Sequence, residues 1–95
     1  MWMIAMLVGW VLTWTSPGPG RLEARLRVPE HTVRVAVTVW NGDYMRESEY
    51  DLREGSTQTI VQWRGIPSDE YHLDARALSN TGRIAQSPVW SIRVR

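Results

Sequence analysis

The sequence predicts an all-β chain folded as an antiparallel β-sandwich of about seven strands. Three observations carry this. Apolar and polar residues alternate with a period of two in run after run, as in strands with one buried face. Turn residues such as Gly, Pro, Asn and Ser separate these runs at roughly 8–12-residue spacing. No stretch carries a convincing helical period. At 95 residues the chain makes one domain at most. We expect residues 1–16 to be a distinct apolar segment and residues 17–95 to form the remainder of a single sandwich.

Charge divides the chain. Residues 1–16 carry no ionisable side chain, so every charge lies beyond them. In Met1–Ser16, Trp2, Ile4, Met6, Val8, Trp10, Leu12 and Trp14 are all large and all even-numbered, while the odd positions are smaller on average and turn polar at the end. That parity predicts a strand, or a strand pair with Gly9 at a bend or bulge, presenting one bulky face. The segment is also open to a second reading as a signal peptide or anchor. Against that reading, no Lys or Arg precedes the apolar run and no A-x-A-like cleavage site follows it. Thr13, Thr15 and Ser16 cut the run short of the roughly 20 residues of a spanning helix.

Pro17-Gly18-Pro19-Gly20 is a loop. Arg21–Val28 alternates, with Leu22, Ala24, Leu26 and Val28 facing in, and Pro29 ends it. Thr32–Trp40 follows, with Val33, Val35, Val37 and Val39 on one face. Asn41-Gly42 between two β-runs favours a type I′ hairpin, whose central residues both need positive φ. If Trp40 pairs with Asp43, Arg34 falls opposite Glu49 and Val39 opposite Tyr44. The same register sets Arg46 and Ser48 on the core face, a conflict eased if strand 44–50 is an edge that peels away or bulges.

Asp51–Ser56 is a turn, and Thr57–Arg64 a strand with Val61 and Trp63 on one parity and Ile60 on the other. Gly65 to Asp69, around Pro67, forms a corner. Tyr71, Leu73, Ala75 and Ala77 then alternate inward, Ser79–Gly82 turns, and Val89–Val94 is the last strand after Pro88.

Three stretches resemble an immunoglobulin-like domain of the fibronectin type III or bacterial kind. Leu12-Thr13-Trp14-Thr15-Ser16-Pro17 is similar to the second strand of type III domains, where a core Trp precedes a Pro-containing loop. Ile66-Pro67 through Ala77 resembles the corner and alternating strand in which Tyr71 takes the tyrosine-corner position. Asn80-Thr81-Gly82 through Ser87-Pro88-Val89 looks like the last hairpin. The likeness leaves residues 2–9 almost no room to supply the first strand, so that either the domain lacks a proper first strand or a partner provides one. It makes Trp14 and Tyr71 structural residues, to which the hairpin signal adds Asn41 and Gly42.

Composition excludes several classes of function. Lys+Arg 11 against Asp+Glu 10 gives a net charge of +1, which argues against a polybasic nucleic-acid binder. All the basic side chains are Arg. Cys is absent and His occurs twice, so we expect no metal, cofactor or thiol chemistry. Phe is absent and Trp occurs six times, which fits a core filled with indoles better than a row of interface anchors.

No G-x-S-x-G, Walker, dinucleotide or H-E-x-x-H pattern occurs. His72 and Asp74 share a strand face, read as an ordinary solvent-facing polar row. Glu47, Glu49, Asp51 and Glu54 read as a solvated edge, and Arg21, Arg25, Arg27 and Arg34 as a basic stripe interrupted by Glu23.

We therefore expect a non-enzymatic structural or interaction module. Trp2, Ile4, Met6 and Trp10 are its candidate docking residues, and other protein subunits, self or heterologous, its partners. The family resemblance implies a repetitive assembly such as a virion decoration or tail-associated protein, or a cell-surface filament. The alternative is a secreted or membrane-tethered adhesion domain whose residues 1–16 are targeting sequence. Only that segment would touch a membrane.

Overall fold

A computed structural model describes the backbone of residues 3–7 and all of residues 9–95. The expectation for Trp2 and those for the side chains of Ile4 and Met6 lie outside the described residues. Nine strands are described: β1 (Met3–Leu7), β2 (Trp10–Thr15), β3 (Leu22–Arg27), β4 (Thr32–Trp40), β5 (Met45–Asp51), β6 (Gln58–Trp63), β7 (Asp69–Ser79), β8 (Ile84–Gln86) and β9 (Trp90–Val94). They form two sheets, β1-β2-β3-β6 and β5-β4-β7-β8, with β9 also on β7. Every pairing is antiparallel. The architecture is the expected all-β sandwich. Two strands exceed the expected seven because the N-terminal segment is a hairpin and Ile84–Gln86 forms a short strand before the last one.

The core follows the alternation. Leu22, Ala24 and Leu26 of β3 meet Val35, Val37 and Val39 of β4 and Leu73, Ala75 and Ala77 of β7 in one buried cluster. Val33 departs from it. The β4–β7 register shifts between Thr32 and Arg34, leaving Val33 39% exposed while Thr32 is buried. A bulge reverses the facing of the residues before it. The Thr32 hydroxyl donates to the Pro29 carbonyl at 2.7 Å, which accounts for its polar group.

The hairpin after β4 closes differently from a type I′ turn. Neither Asn41 nor Gly42 has a positive φ. Asn41 Oδ1 instead accepts the main-chain N–H groups of Asp43 and Tyr44, both at 2.9 Å, and Trp40 pairs with Met45. Side-chain capping of this kind is a known alternative use of Asn. The register moves by two residues, so Arg34 faces Asp51 and Val39 faces Arg46. A shift of two preserves facing. Arg46 therefore stays on the core side of β5, which is an edge strand.

Ser87 and Pro88 separate β8 from β9. Ser87 N–H donates to Ala75 O at 2.9 Å, and its buried Oγ accepts the Ala75 N–H at 2.7 Å. One residue thus takes over the ladder between β8 and β9.

Candidate interaction edge

The N-terminal hairpin turns where Leu7 pairs with Trp10, and Gly9 there has φ 77°, a value that side chains with a Cβ rarely adopt. The turn also breaks the sequence parity. Ile4 lies opposite Thr13 and Met6 opposite Val11, whereas Trp10 and Leu12 lie opposite Leu7 and Ala5. The even-numbered positions of β1 and of β2 therefore do not form one row. Five residues suffice for β1, so residues 2–9 have room for a strand beside β2.

Trp10 is a core residue, not a docking residue. It is 3% exposed and packs edge-on against Trp90, with ring centroids 6.4 Å apart. Trp63 and Trp90 are buried as well, while Trp14 and Trp40 are half-buried. Trp14 packs against the edge of the core from β2 and lies opposite Met3 and Ala24.

What the N-terminal segment adds is an edge. β1 pairs with β2 on one side, and among the described residues no strand lies on the other. Its residues are Met, Ile, Ala, Met and Leu, without charge or proline. A strand edge presents unpaired N–H and C=O groups, and charges or prolines are the usual means of blocking them. β1 has neither.

The opposite sheet manages its edges. β5 carries Arg46, Glu47, Glu49 and Asp51. Arg34 Nε donates to Asp51 at 3.0 Å, and Arg76 lies 3.5 Å from Glu47. Arg46 places its guanidinium 5.1 Å from the Trp63 ring centre and donates to Arg64 O at 2.7 Å. Its apolar stem covers the core while its charge reaches the sandwich rim, which resolves the conflict seen in the sequence. At the far side, β8 has three residues and β9 carries Arg93.

The other candidate sites disperse. His72 and Asp74 share the outer face, but His72 stacks obliquely on Trp40 at 5.5 Å and Asp74 accepts from Gln86 at 2.9 Å. Among the described residues no group of three His, Cys, Asp or Glu could hold a metal. The basic stripe does not assemble: Arg25 and Arg27 project from β3, Arg21 pairs with Glu23, and Arg34 belongs to the other sheet.

A cleft of about 600 Å³ opens beside the β4–β5 turn, lined by Trp14, Asp43, Asp69, Glu70, His72 and Arg93. Asp69 accepts from Asn41 at 3.2 Å and from the Glu70 N–H at 2.7 Å, and Glu70 lies 3.4 Å from Arg93. Tyr71, near the start of β7, donates its hydroxyl to Pro67 O in the corner before the strand, at 2.5 Å. Burial raises the Tyr71 phenol above its ordinary pKa, and the charges of Asp69 and Asp43 add to this.

The sequence marked Ser16 only as a polar end to the apolar run and Ser87 only as part of the last hairpin, not the bonds that either makes. The buried Ser16 Oγ donates to Arg21 O at 2.6 Å and accepts the Arg95 N–H at 3.0 Å, tying the end of β2 to the end of β9. The Ser16–Arg95 bond spans nearly the whole chain, and the Ser87–Ala75 bonds depend on how β7 and the last hairpin pair, so neither can be read from neighbouring residues. Compared with protein-family models, curated proteins and solved structures, the chain matches none.

Proposed function

We propose that this chain is a non-enzymatic structural or interaction module that joins other protein subunits in a repetitive assembly through its β1 edge. The observation that carries the reading is the uncharged, proline-free β1 with no strand beyond it among the described residues. Strand addition satisfies such an edge with main-chain hydrogen bonds and buries its apolar residues together.

We assign the sandwich to the immunoglobulin-like, fibronectin type III-like class. Two features support this. With β1 left aside, β2-β3-β6 faces β5-β4-β7 with β8 and β9 beyond, an order that fits type III modules. The Tyr71–Pro67 bond is the second. In that order the place of second strand falls to β3, not to the strand holding Trp14. The setting we favour is a virion, as decoration or tail-associated protein, or a cell-surface filament. The uncharged residues 1–16 support a second reading, a secreted or tethered adhesion domain with that stretch as targeting sequence.

Intact-mass analysis of sedimentation fractions from the native source tests the choice. The expected result is a chain retaining residues 1–16 in a fast-sedimenting particle. Free protein lacking them overturns the assembly reading in favour of the second.

A further inference from the structure

We propose that the partner of the β1 edge is the β6 edge of a second copy of this chain, so that copies add head to tail into a continuous sheet. The inference rests on the assembly reading above and names its partner.

Four observations converge on it. Of the sandwich's edges, the two that close the first sheet are both unguarded: Gln58–Trp63, like Met3–Leu7, contains no ionisable residue and no proline. The second sheet is guarded by four charges on β5 and by the break between β8 and β9. Such a difference between sheets is expected if only the first is meant to be extended.

Strand polarity agrees. Three antiparallel steps separate β1 from β6, so the two run in opposite directions. A second copy placed in the same orientation beside the first brings β1 against β6 antiparallel, like every other pair in the molecule. The lengths also match, five residues against six.

Ile60 supplies the fourth. It is 53% exposed at the middle of β6, a large aliphatic residue at a sheet edge. Every residue of β1 is apolar, so Ile60 gains an apolar neighbour in any register. Pairing β1 with β1 instead leaves both β6 edges and both Ile60 residues uncovered. Head-to-tail addition is a heterologous contact, which closes into a ring or grows into a filament.

The test uses the full chain and two charge substitutions. Ile60→Lys alters an exposed β6 residue, and Ile4→Lys alters β1, with Met6→Lys as a replacement if Ile4→Lys lowers the thermal midpoint. In sedimentation velocity the wild type should grow beyond a dimer as concentration rises. Each variant alone should stay monomeric, and their equimolar mixture should form a 1:1 heterodimer and stop. Ile60→Lys keeps its β1, so adding it to wild type should cap growth and shorten the polymers.

Dimers of Ile60→Lys alongside monomers of Ile4→Lys would show β1 pairing with itself. That overturns the head-to-tail inference and leaves β1 as a docking edge. A wild type that is monomeric at every concentration also overturns it, while fractionation of the native source still decides the broader reading.

Discussion

Asn41 and Gly42 show how two residues can be right about a turn and wrong about its geometry. The pair stands between two strands, but Asn41 caps the turn with its side chain and neither residue has a positive φ. A Cβ on Gly42 would meet nothing within 4 Å. Gly42→Ala is therefore expected to be neutral or to stabilise by up to about 1 kcal/mol, by restricting the unfolded chain. An unfolding free energy from urea titration lowered by about 1 kcal/mol would instead point to a turn that needs glycine. Tyr71 gives the second prediction at this scale. Tyr71→Phe removes the bond to Pro67 and should cost about 0.5–1.5 kcal/mol near neutral pH. The raised phenol pKa means that the folded state favours the protonated form. Its contribution is present in full below the unfolded value of about 10 and is lost as pH rises through the higher folded value. Wild-type urea midpoints should fall more steeply than those of Tyr71→Phe as pH rises above about 10.

At the scale of elements, most strands were legible because a period of two writes itself into the sequence. β3, β4, β6, β7 and β9 lie close to where the alternation put them. Parity failed where the chain reversed. The even-numbered row from Trp2 to Trp14 looked like one face, yet the turn at Gly9 sets even positions of β1 against odd positions of β2. The face that a residue takes depends on which side of that turn it stands. Trp10 consequently belongs to the core beside Trp90. Trp10→Ala should cost about 3–5 kcal/mol as an unfolded-core effect. In thermal denaturation this lowers the midpoint steeply at every protein concentration, whereas a residue acting only at an interface leaves the dilute monomer's midpoint unchanged. β5 illustrates the opposite outcome. Its charges were visible as an edge signal, but only its neighbours Trp63 and Arg64 explain how Arg46 fits on the core side.

For the whole molecule, stability comes from the one buried cluster between the sheets and little from the ions outside it. The pairs Arg34–Asp51, Arg76–Glu47 and Arg93–Glu70 lie on exposed side chains. Exposed pairs of this kind contribute little and are screened by salt. Raising ionic strength from about 0.05 M to 0.5 M should therefore shift the unfolding free energy by no more than about 1 kcal/mol, read from urea titrations of the monomer. The charges matter more for what they prevent. They keep the second sheet's β5 edge closed to other strands, and the first sheet has no such protection at either edge.

The sequence by itself determined the fold class, the alternation that fills the core, the edge character of β5 and the apolar nature of the N-terminal segment. Each is a local property, fixed by the side-chain period of a strand or by the absence of charge. Only the tertiary structure decided that Trp10 is interior, that Ser16 holds the ends of distant strands together, and that β1 and β6 close opposite sides of one sheet. The physical reason is sequence distance. β6 reaches its edge by pairing with β3 across two intervening strands of the other sheet, and Ser16 meets Arg95 from the far end of the chain. No window of neighbouring residues contains both partners.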